Sequence, residues 1–376
     1  MYLTQKIRVY PTKQTKETLD TFFRITIFIY NKCIEYMVNN NTAITNVREF
    51  LNKISTSLMT NKKKEIFNSF LPTWQYKVVS RAICNYKRCH LQKITCRLKK
   101  YDANIQSFHI TDAYTETMSK RNLYIPGIGY LKYRYISNLK GKCIGCTIKK
   151  VANSIYYVII NLKVDESSVK NYPKTGKMVG LDVGLKDLVT TSDGEKYSVS
   201  KAYLTNLVRA KRIQKRLAKM KPGGSNYLKL RQKLQLLFWK VENQKENYQH
   251  AISLNLIRKY DYIFTEDFIT KELMSKPGNK INYTNAAISS FLHKISYKSI
   301  IYDKTTHKID RYFPSSQICS NCGRRDHSLK DTSIRNWRCK YCQMEHDRDV
   351  NAAKNILEKG ISEYKLWFLL KKKKNN

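Results

Sequence analysis

Acidic residues are scarce in this chain: 29 Asp and Glu stand against 70 Lys and Arg over 376 residues, a formal net charge of +41. Such an imbalance sets up self-repulsion that a polyanion relieves. Nucleic acid is the natural one, since each phosphate neutralised also releases counterions. An AT-rich coding sequence would enrich Lys, Asn, Ile and Tyr as well, but it would not remove Asp and Glu. The 27 tyrosines interleaved with the basic residues offer rings on which bases can stack. Long apolar runs are missing too. None approaches the ~20 residues of a membrane span, so no membrane partner is expected. The alternation of charged and apolar residues from Met1 to Tyr10 is unlike a secretory leader. The ten cysteines are therefore expected in a reducing compartment, where paired cysteines point to metal rather than disulfides.

Glycine is absent between Met1 and Tyr101, and Pro72 is the only proline there after Pro11. With Leu19, Phe22, Phe23, Ile27, Tyr30 and Ile34 at three- and four-residue spacing, this predicts a helical bundle over 11–101. Residues 2–10 alternate as a strand. So do Tyr130 to Tyr135, Cys143 to Val151 and Ile155 to Val164, which predicts a small β-barrel from 1–10 and 102–168 with the bundle inserted in it. A linker from Ser167 to Lys177 leads to an apolar strand, Met178 to Val183, and a hairpin at Ser192-Asp193-Gly194. Two long helices joined at Lys221 to Ser225 follow, the first with its Lys and Arg outward. Then come a strand at Tyr262 to Thr265, a polar stretch from Met274 to Asn285 expected to be mobile, a helix from Ala287 to Tyr302 and a strand reaching Phe313. A last helix spans Val350 to Leu357, and Lys371 to Lys374 reads as a solvated tail. Strands alternating with helices predict an α/β domain, so the chain is multidomain α/β plus a small β-barrel.

Cys319-x2-Cys322 and Cys339-x2-Cys342 are sixteen residues apart. Two such knuckles complete a tetrahedral thiolate shell for one structural Zn²⁺ with no open position. Arg324, Arg325, Arg338 and Lys340 can offset its negative charge, and His346 reads as a local hydrogen-bonding residue. Cys143 and Cys146 form a lone pair in a strand and read as core cysteines, while Cys84, Cys89 and Cys96 are expected as buried thiols.

In a chain so poor in acids, an acid ending an apolar strand stands out. Asp182 follows Val179-Gly180-Leu181, and Glu266 follows Tyr262-Ile263-Phe264-Thr265. Asp349 opens the last helix. Singly, Asp349 could be an N-cap and Asp182 a strand-end turn residue. Converging on one edge, the three would hold two divalent ions ~4 Å apart for in-line phosphodiester displacement. Oxygen ligands suit Mg²⁺ or Mn²⁺.

These segments resemble the TnpB proteins of bacterial insertion sequences, relatives of the Fanzor proteins and type V CRISPR effectors. Gly180-Leu181-Asp182-Val183-Gly184-Leu185 through Gly194 is similar to the first RuvC motif, and Phe264-Thr265-Glu266-Asp267-Phe268 to the second. Asp310-Arg311-Tyr312-Phe313-Pro314-Ser315-Ser316 through Gly323 is similar to the family's entry into its zinc ribbon. His346-Asp347-Arg348-Asp349-Val350-Asn351-Ala352-Ala353 is similar to the third motif. Val9-Tyr10-Pro11-Thr12 and Tyr30-Asn31-Lys32 are looser matches, and Lys271 to Met274 is diverged. The resemblance implies a RuvC-like (RNase H) nuclease domain over 175–314 and 346–376, with a zinc-ribbon insert at 315–345. It implies Asp182, Glu266 and Asp349 as catalytic ligands of Mg²⁺, with Asp347 left to cap the helix. It further implies a guide RNA from the element's own end, a double-stranded DNA target with a short adjacent motif, and a monomer in a ribonucleoprotein. A guided binder without cleavage and a transposase accessory protein are the alternatives, and a binder has no use for three such carboxylates.

Overall fold

A computed structural model of the chain describes every residue except 59, 102–105, 111–120, 126, 135–140, 153–154, 166–171, 199–200, 268–286, 332 and 375–376. It divides into two compact units, one of Met1–Ser168 with Arg216–Trp239, the other of Val169–Lys215 with Lys240–Asn376.

The first unit runs β1 (Tyr2–Tyr10), α1 (Lys13–Asn39), α2 (Val47–Thr56), α3 (Asn61–Ser69), α4 (Pro72–Leu91), β2 (Gln106–Ile110), β3 (Asn122–Ile125), β4 (Gly129–Tyr133), β5 (Lys142–Val151) and β6 (Ile155–Lys163). The helices α1 to α4 lie between β1 and β2 in the chain. Helix α1 starts where Thr12, in an extended conformation, accepts the Thr15 backbone N–H. Its apolar stripe, from Leu19 to Met37, is buried. Phe22 packs edge-on against Phe70, Trp74 and Phe108, with ring centroids 5.3, 5.8 and 6.1 Å apart, which ties α1, the α3–α4 junction and β2 into one core.

The strands form one antiparallel sheet in the order β2-β5-β6-β1-β4-β3. The expected closed barrel is thus an open half-barrel: among the described residues no pairing joins the edge strands β2 and β3. Helices α1 and α4 pack beside β2 instead.

The second unit contains β7 (Met178–Asp182), β8 (Asp187–Thr191), β9 (Lys196–Ser198), α5 (Lys201–Ala218), α6 (Ser225–Lys259), β10 (Tyr262–Glu266), α7 (Ile288–Ile301), β11 (Thr305–Ile309), a two-stranded ribbon of β12 (Asn336–Arg338) and β13 (Glu345–Asp347), and α8 (Arg348–Lys374). Part of α5 and of α6 belongs to the first unit. The sheet order is β11-β10-β7-β8-β9, with β8 antiparallel to both β7 and β9 and β10 parallel to both β7 and β11. Strands buried on both faces read as unbroken apolar runs. Accordingly Val179, Leu181 and Ile263 pack with α6 and α7 through Ile252, Leu256, Phe291 and Ile295. Phe264 and Ile309 pack on the other face against Ile356 of α8.

Gly180 is the point of closest approach: a Cβ there would lie 2.1 Å from the Ala353 carbonyl oxygen. Gly360 likewise leaves room for the Phe264 ring. Asp261 at the start of β10 forms a buried ion pair with Lys304 and accepts the Thr175 and Gly176 backbone N–H groups at 2.7 and 2.6 Å.

Helix α8 runs far past the expected Leu357, so the lysine run taken for a tail is helical. The polar stretch Met274 to Asn285 lies outside the described residues. No helix among the described residues is long and apolar enough to cross a membrane.

Candidate active site and metal centre

Strand periodicity and register bring two of the acids together. Gly180 pairs with Phe264 and Leu181 with Thr265, so the next positions, Asp182 and Glu266, end neighbouring parallel strands at one level. Two residues on from Gly180 and Phe264, both lie on the face covered by α8. Asp349 stands in the first turn of that helix. All three line one cavity of about 830 Å³ beyond the carboxyl ends of β7 and β10, where open α/β sheets bind ligands.

The three carboxylates bear on one another electrostatically. Burial, then the neighbouring Glu266 and Asp349 charges, push Asp182 well above the usual carboxylate range, against the pull of Arg348 and Arg335. Burial also raises Glu266, opposed by the Ser315 hydroxyl, which donates to Oε1 at 2.6 Å. Asp349 Oδ1 accepts from Arg335 at 3.2 Å. Three acids lining one partly desolvated cavity at the sheet edge offer hard oxygen donors that could hold divalent cations such as Mg²⁺. Asp347 does what a cap does: its Oδ1 accepts the Asp349 and Val350 N–H groups at 3.1 Å each, and its Oδ2 pairs with Lys196 at 2.6 Å.

The four ribbon cysteines form the only set of three or more His, Cys, Asp or Glu among the described residues with donor atoms all within 4.8 Å. Two matching turns build it. Cys319 N–H donates to Arg324 O and Gly323 N–H to Cys319 O; Cys339 N–H donates to Met344 O and Gln343 N–H to Cys339 O. Gly323 and Gln343 occupy the same left-handed position, at φ 70° and 58°. The Sγ atoms of Cys319 and Cys342 are 3.6 Å apart, and those of Cys322 and Cys339 3.7 Å. A tetrahedral metal at the usual Zn–S length of about 2.3 Å needs sulfurs about 3.8 Å apart, so the set fits zinc.

His346 Nε2 lies 3.1 Å from Cys319 Sγ, the local role expected. The cations expected to offset the thiolates are engaged elsewhere: Arg324 stacks on Tyr341, Arg325 bonds Gln317, Arg338 bonds the Gln343 carbonyl and Lys340 pairs with Asp326.

Of the other cysteines, Cys146 is buried, its thiol pushed up to about 12 by burial, and Cys143 is half-buried. Both fit a core role. Cys84, Cys89 and Cys96 do not: Cys84 is exposed and the other two half-buried. The fully buried stripe of α4 ends at Ala82, and its last turns are only partly covered. The fully buried thiol of the bundle is Cys33.

The first unit carries cations and aromatic rings in alternation. Arg8 lies 5.2 Å from the centroids of both Tyr10 and Trp239, and Lys6 sits over Tyr157 at 4.3 Å. Trp239 Nε1 donates to the Tyr157 hydroxyl at 2.8 Å.

A family model described as "Probable transposase" matches residues 160–276, and one described as "Cas12f1-like, TNB domain" matches 289–356. A protein of Streptomyces pristinaespiralis named "Putative RNA-guided DNA endonuclease" is 31% identical over 197 residues, 52% of this chain and 48% of that protein. This chain thus spans about half the length of that relative. A TnpB-like protein of Acanthamoeba polyphaga mimivirus is 25% identical over 403 residues, 97% of this chain and 74% of the viral one. The fold matches a Cas12f1 chain solved with sgRNA and target DNA at a TM-score of 0.53 and 15% identity, over 92% of this chain and 83% of that one. Over nearly its whole length the chain is similar to TnpB-like proteins.

In this TnpB-like chain the structure brings out residues that the sequence motifs contained without a role. Arg348 is buried, and its guanidinium donates to the Asp331 and Ile334 carbonyls and to Ser316 Oγ. Asn351 donates to Ile318 O and accepts from Ser320 N, and Asn355 donates to the Ser315 and Ile318 carbonyls. These positions fall on one face of α8 and clamp the entry to the cysteine insert against it. Their signal was in the sequence, as polar residues at helical spacing among Ala352, Ala353 and Ile356.

Proposed function

We propose that this chain is an RNA-guided, divalent-metal-dependent DNA endonuclease encoded by a transposable element. In this reading the second unit is a RuvC-like (RNase H) domain, 175–314 and 346–376, with a zinc-ribbon insert at 315–345. Its sheet joins an antiparallel run of β7, β8 and β9 to two strands parallel to β7, an order that supports the RNase H reading. The observation that carries the reading is the joint placement of Asp182, Glu266 and Asp349 in one cavity.

Those three residues would hold Mg²⁺ or Mn²⁺, and Cys319, Cys322, Cys339 and Cys342 one structural Zn²⁺. Divalent ions so held supply Lewis-acid stabilisation of the charge that develops on the phosphate oxygens. Arg325 and Arg335 line the same cavity and can meet the phosphates of the strand. Ser315 orients the Glu266 carboxylate, and Arg348 holds the insert in place above it. In the first unit, the sheet of 1–10 and 102–168 and the bundle of 11–101 would grip guide RNA and the target duplex, with the alternating cations and rings around Arg8 as one contact surface. The guide would read the sequence by pairing, and the protein a short adjacent motif.

The test is to co-express the chain with its flanking locus, sequence the RNA that co-purifies, and challenge the complex with plasmids bearing the matching target beside a randomised motif. Cutting in Mg²⁺ that is lost with Asp182→Ala, while target binding persists, is the expected result. A complex that binds the target and never cuts it would favour the guided binder instead.

A further inference from the structure

Tyr312 is exposed to 82% on the wall of the carboxylate cavity, a position that gives up the burial most tyrosines gain on folding. Its loop is nevertheless fixed at every neighbouring residue. Phe313, next in sequence, packs inward against the cluster of Phe264, Ile309 and Ile356. Arg311, just before it, is pinned by Asp267 at 2.6 Å, and Asp267 is itself next to Glu266. The Tyr312 N–H donates to Asp310 Oδ1 at 3.1 Å, and two residues after Phe313, Ser315 bonds Glu266. The Arg311 guanidinium stands 6.0 Å from the Tyr312 ring centroid. An exposed ring is thus held on a loop anchored on both sides, beside a cation and on the wall of the carboxylate cavity.

We propose that Tyr312 is a stacking platform for a base of the single strand whose phosphate enters the cavity, with Arg311 meeting the adjoining phosphate. A planar ring accepts any base face, so the platform positions the strand without choosing its sequence, which suits a site that cuts whatever target is presented. A duplex would not serve, because its bases are stacked on one another and offer no free face. Tyr312 touches the strand and not the reacting atoms, so it is a positioning residue. The inference rests on the nuclease reading of the same cavity.

The test uses the full chain carrying Asp182→Ala, so that no cutting occurs, and a single-stranded oligonucleotide with 2-aminopurine at one position along its length. With Tyr312 present, binding should quench 2-aminopurine at one register. With Tyr312→Ala that quench should vanish and affinity, by anisotropy, should fall about 5- to 150-fold, the range for loss of one base–aromatic stack. Tyr312→Phe and Tyr312→Trp should restore both, while Tyr312→Leu, apolar but without a π face, should not. Equal quench and affinity in the Tyr312→Ala protein, rescue by Leu, or no binding by the parent would each overturn the proposal. Failure of the nuclease reading looks different: chains with Asp182 intact would leave guided targets uncut in Mg²⁺ although the Tyr312-dependent quench persists.

Discussion

Arg335, on the cysteine insert, reaches back 3.2 Å from its guanidinium to Asp349 Oδ1 at the start of the helix that follows the insert. The insert therefore supplies charge to the carboxylate cavity as well as a fold. Arg335→Ala removes a cation that opposes the rise of Asp182, so divalent ions should bind no more weakly. A donor poised for phosphate is lost at the same time, and one such donor is worth about 10²–10³ in rate. We expect cleavage to fall within that range at saturating Mg²⁺, with half-saturation at equal or lower Mg²⁺. A variant rescued by more Mg²⁺ would put the arginine's role in metal affinity instead.

Asp182→Asn should abolish cutting and yet stabilise the chain in chelator. The native carboxyl is disfavoured by burial and by two like charges. An uncharged amide of the same shape removes the like-charge repulsion and lowers the desolvation cost. A gain of about 1 kcal/mol corresponds to about 2–4 °C in a unit of this size. Calorimetry in EDTA measures it, and a lower melting temperature than the parent's would contradict the account.

Cys339→Ser should lower bound zinc from one equivalent and melt the second unit earlier, because metal binding and folding are coupled in such knuckles. The change should track zinc and be insensitive to Mg²⁺. Full zinc occupancy in the variant, measured by mass spectrometry, would show that the four thiolates do not form the shell.

Acid should weaken the second unit through Asp261. Burial raises its carboxyl, but the Lys304 ammonium and the Gly176 and Thr175 N–H groups outweigh that, leaving it below the ordinary value. A depressed carboxyl contributes stability that is complete above its unfolded value, about 3.9, and is lost as pH falls through the lower folded one. Asp261→Asn leaves buried Lys304 unpaired and should cost about 3–5 kcal/mol at pH 7. Denaturant titrations between pH 2 and 7 should show a shallower acid limb in the variant.

The strands and helices that position the site were legible because their patterns are local. The run Val179 to Asp182 reads as a strand, and two CxxC knuckles read as one shell. Register was not legible. Only the pairing of Gly180 with Phe264 puts Asp182 level with Glu266, and the placement of Asp349 beside them depends on how closely α8 approaches Gly180. Burial of the α4 cysteines failed for the same reason, since periodicity gives a face but not where the cover ends. Asp349 and Asp347 could not be separated by spacing alone. The hydrogen bonds separate them, with Asp347 turned to the helix N–H groups and Asp349 to the cavity.

Gly180 makes that dependence testable. A methyl group there meets the Ala353 carbonyl at 2.1 Å and Leu357 N at 2.6 Å, both backbone atoms that cannot turn aside. Helix α8 would have to move away from β7, carrying Asp349 in its first turn away from Asp182. Overpacking of this kind costs about 1–3 kcal/mol or more. Val179→Ala offers a matched control: it leaves a cavity on the opposite face, among α6 and α7, and also destabilises, but leaves the α8 contact alone. Below the melting temperatures of both, single-turnover cleavage by Gly180→Ala should fall at least tenfold, while Val179→Ala should cut at nearly the parent rate. If the two variants lose activity in proportion to stability alone, the α8 contact does not set the spacing of the carboxylates.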